Sequence, residues 1–197
     1  MDGTAGDDPF EAPGSPVEPY LLLDDREVAK AAFLRVLEER WSAPDDEILS
    51  RVKVEHPGAV VAVPVIGDDV LLVRQYRTAV RRYLLEIPAG KRDVDGEPPD
   101  DAIRRELEEE IAFSPGRLVP LGEFYNSPGF CDEHTTLYLA TELVPVTERH
   151  ELRAEERDMR VVRLPLAVAV RMVTDGEIVD AKTICGLLLA ARHLGLG

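Results

Sequence analysis

GKRDVDGEPPDDAIRRELEEEIAF, residues 90–113, decides the fold. Its Pro98–Pro99 pair followed by Asp100 and Asp101 suits the N-terminus of a helix, where a missing amide costs nothing and acids meet the positive end of the dipole. From Ile103 at zero on a wheel turning about 100° per residue, Leu107 falls at about 40° and Ile111 at about 80°, which makes one buried stripe. Glu110 at about 340° and Glu106 at about 300° border that stripe, whereas Glu109 at about 240° and Arg105 at about 200° lie further round. Glu108, at about 140°, faces solvent. Carboxylates at i, i+3 and i+4 repel one another, and a bound cation reverses the sign of that interaction. Taken alone, such an acid run is a solvated helix face. With Arg105 paired to Glu109 or orienting it, Glu106 and Glu110 are left to coordinate a hard divalent ion through oxygen.

Around this helix the periodicity is that of strands. Upstream, from Ala31 onward, FLRVLEERW, EILSRVKVEH, AVVAVPVI and VLLVRQY are separated by the turn segments SAPDD and GDD and predict an antiparallel meander. YLLEIPAG then leads through a Gly/Asp-rich loop into the helix, and RLVPLGEFY and TTLYLATEL follow as strands. LPLAVAVRMVTDG and VDAKTICGLLLAARHLG have helical apolar spacing and stop at Gly176 and Gly195. This order predicts an α+β fold in which a mixed β-sheet is sandwiched between helices (α/β/α), with an N-terminal antiparallel strand region, and not a doubly wound parallel sheet. Residues 1–19, rich in Gly, Pro and acids, read as a flexible tail, 20–58 as an N-terminal β region and 59–197 as the main domain.

Charge excludes other classes. In 197 residues, 38 Asp and Glu against 23 Lys and Arg give a net charge of −15, which disfavours a nucleic-acid-wrapping surface. Nine of those carboxylates fall within residues 93–110, so a metal site leads. Cys131 and Cys185 have no zinc or disulfide spacing, and His56, His134, His150 and His193 share no ligand spacing. No glycine-rich nucleotide loop is present. The acidic start, MDGTAGDDPF, and the lack of a long apolar run predict a cytoplasmic protein with no membrane partner.

The segment 90–113 resembles the Nudix box, G-x5-E-x7-R-E-U-x-E-E-x-G-U with U apolar. Seven residues separate Glu97 from Arg105; Arg105 and Glu106 supply R-E, Leu107 the U, Glu109 and Glu110 the E-E, and Phe113 closes the pattern. It departs twice: six residues rather than five separate Gly90 from Glu97, and Ala112 stands where the box has Gly, so the helix is expected to terminate differently. LLVRQYR and LLEIPAG before the box, and SPGFCDE after it with Pro128 fifteen residues beyond Phe113, are similar to the ADP-ribose pyrophosphatase branch of the Nudix hydrolases. The branch acting on NADH carries SQPWPFP, whereas the single tryptophan here is Trp41.

The resemblance implies Mg2+-dependent hydrolysis of ADP-ribose to AMP and ribose 5-phosphate, with Mn2+ a possible substitute. Glu106 and Glu110 are then metal ligands, Glu109 supports them, and the carbonyl of Ala89 is a further ligand. Arg77, or alternatively Arg74, clamps the diphosphate through the guanidinium's bidentate geometry. The branch takes its base from an acidic loop after the sheet, which HELRAEERDM fits, with Glu156 first and Glu155 second. Glu133 is a weaker candidate for the base and is rather expected to position the loop or ribose, and Glu97 is expected to be structural or to support the metal ligands from behind. A homodimer is implied through the N-terminal strands, with Trp41 either stacking on adenine or packing in a hairpin. Two alternatives stand: hydrolysis of another nucleoside diphosphate sugar or dinucleotide, and a non-catalytic nucleotide sensor, against which the intact R-E-L-E-E-E argues.

Overall fold

A computed structural model describes residues 20–146 and 158–196. The chain opens with a three-stranded antiparallel sheet, β1 (Leu21–Ala31), β2 (Leu34–Ser42) and β3 (Ile48–Glu55), in that order. β1 begins well before Ala31, where the sequence reading starts its strands. All eleven of its residues are exposed, so no buried alternation marks it as a strand. The ladder to β2 holds it, together with cross-strand ion pairs Arg26–Glu38 (2.5 Å), Arg35–Glu27 (2.8 Å) and Arg40–Asp24 (3.0 Å). Solvent screens such exposed pairs, so the backbone ladder matters more than any one of them.

The main sheet comprises β4 (Ala59–Ile66), β5 (Asp69–Arg77), β6 (Arg82–Glu86), β7 (Ala89–Lys91), β8 (Phe113–Tyr125), β9 (His134–Pro145) and β10 (Arg160–Pro165). Its order is β10-β5-β4-β9-β8, with β6 beside β5 and β7 beside β4. The single meander expected from residue 31 is therefore corrected. β3 ends the first sheet, and β4 pairs in parallel with β9, Ala59 opposite Thr135 through Pro64 opposite Ala140. Seven of the eight residues of β4 are buried, as a strand covered on both faces requires, but local patterning carries no information about which strand lies alongside. YLLEIPAG likewise divides into β6 and β7, with Pro88, which lacks an amide donor, in the gap between them.

Strand alternation separates two cores. Val60, Ala62, Leu71, Val73, Tyr138 and Ala140 face α1 (Pro99–Ile111), whose Ala102, Ile103, Leu107 and Ile111 pack on them. Val61, Val63, Val70, Leu72, Leu137 and Leu139 face α2 (Leu166–Thr174) and α3 (Ala181–His193) through Leu166, Ala169, Leu187 and Ala190. Each fully buried Leu or Ile contributes roughly 1.5–3 kcal/mol, so both helical layers are fastened by apolar burial. Gly186 lets α3 approach the sheet closely, since a Cβ there would stand 2.8 Å from Ile87 Cδ1. The result is the expected α+β sandwich. Among the described residues no helix is long and apolar enough to cross a membrane.

At its C-terminus α1 stops in the left-handed region although no glycine is present. Ala112 has φ 61° and ψ 38°, and its amide donates to the Glu108 carbonyl at 3.2 Å. The expected change of termination does not occur. The flanking elements impose the turn instead: the Val146 amide donates to the Ala112 carbonyl at 3.0 Å, and Arg104 bonds the Pro115 carbonyl.

Candidate active site

The carboxylate helix and the segment leading to it meet at a cleft of about 410 Å³, lined by residues from Phe33 to Lys182. From α1 come Glu106 and Glu110; from β7, Ala89, Gly90 and Lys91; from the end of β5, Gln75, Tyr76 and Arg77; and from the β8–β9 loop, Glu133. The apolar stripe of α1 places these two carboxylates here, because burying Ile103 and Leu107 turns the flank carrying Glu106 and Glu110 toward β7. Gly90 is needed for space: its φ is not positive, but a Cβ on it would stand 2.1 Å from Glu106 Cγ.

Arg105 organises the acids. Its Nε and Nη2 each donate to Glu97 at 3.2 Å, its Nη1 donates to Glu106 Oε1 at 2.8 Å, and Glu109 lies 3.6 Å away. The hydrogen bonds to Glu97, with the Glu106 carboxylate beside them, push the guanidinium pKa well up, so it stays charged. Glu110 accepts from the Ala89 amide at 3.1 Å. Glu109 is not among the cleft-lining residues.

Among the described residues no three His, Cys, Asp or Glu side chains converge closely enough to hold a metal ion by themselves. Glu106 and Glu110 nevertheless share one wall of the cleft with Ala89 and Gly90. Two carboxylates with a neighbouring carbonyl suit a small hard cation, which is held by one or two carboxylates and completed by water and substrate phosphate. Glu106, Glu110 and Ala89 thus fit a divalent ion by chemistry and placement.

On the strand side, Arg77 donates from Nε and Nη2 to Glu86 Oε1 and Oε2 at 2.7 and 2.6 Å. Glu86 is wholly buried, and its hydrogen bonds raise the pKa of Arg77 against the opposing effect of burial. Arg74 is not in the cleft; its guanidinium lies 3.7 Å above the Tyr83 ring. Trp41 lines a separate cleft with Tyr125, Pro128 and Phe130, and its indole donates to Glu39 at 3.0 Å. Glu155 and Glu156 lie outside the described residues.

Several lining residues went unread in the sequence. Phe33, at the β1–β2 turn, meets His56 edge-on at 5.2 Å and carries the Lys91 ammonium 4.4 Å from its ring centre. His56 Nδ1 accepts from the Gly58 amide at 3.1 Å. Burial lowers the His56 pKa despite the nearby Glu133 and Asp132, so the ring is neutral at pH 7. Lys182, at the start of α3, closes the wall. These residues belong to no common spacing and only the long-range fold brings them together.

The cleft thus joins an acid-edged helix under a mixed sheet to a guanidinium and an aromatic ring. The chain belongs to the Nudix family, whose NUDIX domain matches residues 55–185. It is a Nudix hydrolase, and members of the family generally use divalent metal ions. Among its relatives, an ADP-ribose pyrophosphatase of Bacillus subtilis (strain 168) is 35% identical over 167 residues, covering 82% of this chain and 89% of that protein. An ADP-ribose pyrophosphatase of Mycobacterium tuberculosis (strain ATCC 25618 / H37Rv) is 42% identical over 158 residues, covering 80% and 76%. The crystal structure of an ADP compounds hydrolase matches with a TM-score of 0.78 at 22% identity, covering 93% of this chain and all of that one, which supports the fold.

Proposed function

We propose that this Nudix hydrolase cleaves the diphosphate of ADP-ribose, with Mg2+ as its usual ion and Mn2+ able to replace it. The observation that carries the reading is one cleft holding Glu106, Glu110, Ala89 and Arg77, joined to the family membership and to two relatives named for ADP-ribose. Water attacks one phosphorus, the bridging P–O bond breaks, and AMP and ribose 5-phosphate leave. A bound divalent ion supplies charge neutralisation on the phosphate oxygens and lowers the pKa of a bound water.

The chain's own groups supply the rest. Glu106 and Glu110 hold the ion, with Ala89 as a carbonyl ligand and Glu109 supporting through Arg105. Arg77 orients the diphosphate; its fork to Glu86 uses two of the five guanidinium donors. Phe33 offers a ring face for the base, and Glu133 a carboxylate for loop or ribose positioning. The proton of the attacking water goes to a glutamate of the loop, Glu156 first and Glu155 second.

We also propose the division into a tail over 1–19, a β region over 20–58 and a hydrolase domain over 59–197, and a homodimer formed through the N-terminal sheet. β1 is an edge strand with Leu21, Leu22, Leu23 and Val28 exposed, a surface that a second copy would cover. The deciding experiment is a panel of ADP-ribose, NADH, GDP-mannose and ADP-glucose with Mg2+. ADP-ribose should give the highest kcat/KM, and preference for another member would overturn the substrate assignment.

A further inference from the structure

The wholly buried Glu86 stands in a closed ring of polar contacts that the catalytic reading does not use. Beyond its fork to Arg77, it has the Lys182 ammonium 3.7 Å away. Lys182 donates to Asp180 Oδ1 at 2.7 Å, and Asp180 Oδ2 accepts from the amide and the hydroxyl of Thr183 at 2.9 and 2.7 Å. Thr183, itself fully buried, accepts at Oγ1 from the amide of Ile87 at 2.9 Å. Ile87 follows Glu86 in the chain, so the ring closes.

The segment from Glu86 to Gly90 is thereby pinned from two directions. Thr183 of α3 holds Ile87, and Glu110 of α1 holds the Ala89 amide. Two cations, Arg77 and Lys182, balance two carboxylates, Glu86 and Asp180. The Asp180 carboxyl shows the balance: burial pushes its pKa up, but Lys182 and Thr183 more than offset this and leave it lowered, so it is ionised. Arg77 also feels the Asp180 charge, after those of Glu86 and Glu110. Without Lys182, the buried Glu86 and the partly buried Asp180 would compete for one guanidinium, drawing it toward Asp180 and off its aim into the cleft.

We propose that Lys182 is a positioning residue: by holding Asp180 and Glu86 together it leaves Arg77 aimed at the diphosphate. This rests on the role given to Arg77 above. It also assigns a task to the first turn of α3, which lies 76 residues beyond Glu106 and contains no part of the carboxylate motif.

The test is a cycle of Arg77→Met, Lys182→Met and the double variant. Binding of magnesium pyrophosphate, which needs only the ion and the cationic clamp, is read by calorimetry, and ADP-ribose hydrolysis by steady-state kinetics. Lys182→Met should weaken pyrophosphate binding about tenfold and raise KM similarly while changing kcat less than about threefold, the scale of one misplaced charge-assisted contact. In the Arg77→Met background it should add nothing, because its effect travels through Arg77. Lys182→Arg should restore binding to within about threefold. Unchanged binding in Lys182→Met, or losses that multiply in the double variant, would overturn the proposal. If the Met variant does not fold, Lys182→Gln, neutral but able to bond Asp180, carries the same expectations. A wild-type enzyme inert toward ADP-ribose defeats the proposed function, yet the pyrophosphate titration still decides Lys182.

Discussion

Adding one methyl group at Gly90 should disable the enzyme through a contact that can be counted in ångströms. The new Cβ would stand 2.1, 2.2 and 2.3 Å from Cγ, Cδ and Oε1 of Glu106. Ordinary carbon contacts lie at about 3.5–4.0 Å, so the Glu106 side chain must retreat by roughly 1.5 Å or the β7–α1 gap must widen. Retreat breaks the 2.8 Å bond from Arg105 and takes a proposed metal ligand off the cleft wall. Overpacking of this kind costs about 1–3 kcal/mol. A displacement of that size in a catalytic group costs on the order of a hundredfold in rate. Gly90→Ala should therefore lower the melting temperature and reduce hydrolysis about a hundredfold. The stability penalty should vanish when Glu106→Ala removes the clashing side chain. Equal destabilisation in both backgrounds, or full activity in Gly90→Ala, would show that the space above Gly90 does not matter.

Four further expectations are open to direct measurement. Glu110→Gln should abolish Mg2+-dependent AMP release while leaving circular dichroism and melting nearly unchanged; undiminished turnover refutes its metal role. Ala112→Gly should raise stability by about 1 kcal/mol, because the left-handed conformation costs an alanine about 1–2 kcal/mol and glycine's extra freedom returns part of that gain; denaturant titration reads the sign. The lowered His56 pKa means that the unfolded chain binds a proton here more readily than the folded one. Stability is thus intact above the ordinary value near 6.5 and falls as pH drops from there toward the folded pKa; melting between pH 7.5 and 5.5 should show this loss, and His56→Gln should flatten it. Single Gln variants at Glu133, Glu155 and Glu156 should give one dominant rate loss, at Glu156, and three equal small losses contradict a single base.

The helix carrying the site was legible because its two signals coincide. Ile103, Leu107 and Ile111 set the buried face, and the acids beside them acquire direction from it. β2, β4, β5, β8 and β9 were legible as runs, since each has apolar residues enough to mark a strand. β1 was not, because its cross-strand charge pairs look like any solvated stretch. Nor was β10, short and mostly exposed, or the parallel register of β4 on β9, which depends on a partner more than seventy residues away. The cleft followed the same division. Glu106 and Glu110 came from a local motif, whereas Phe33, His56 and Lys182 reach it from three distant segments. Glu86 was hidden within LLEIPAG, where a lone acid among apolar residues gives no hint that Arg77 forks onto it.

The bond from Ile87 to Thr183 spans 96 positions, and synthesis runs in one direction. At about 5–20 residues per second, a ribosome needs roughly 5–20 s to travel from one partner to the other. Once residue 110 has been added, the nascent polypeptide contains every acid of the motif, but the segment between β6 and β7 still lacks the threonine that anchors it. Hydrolytic competence therefore waits for α3, and a chain cut before Ala181 should be inert. A helix remote from the acidic motif thus sets the moment at which the motif's segment is locked in place.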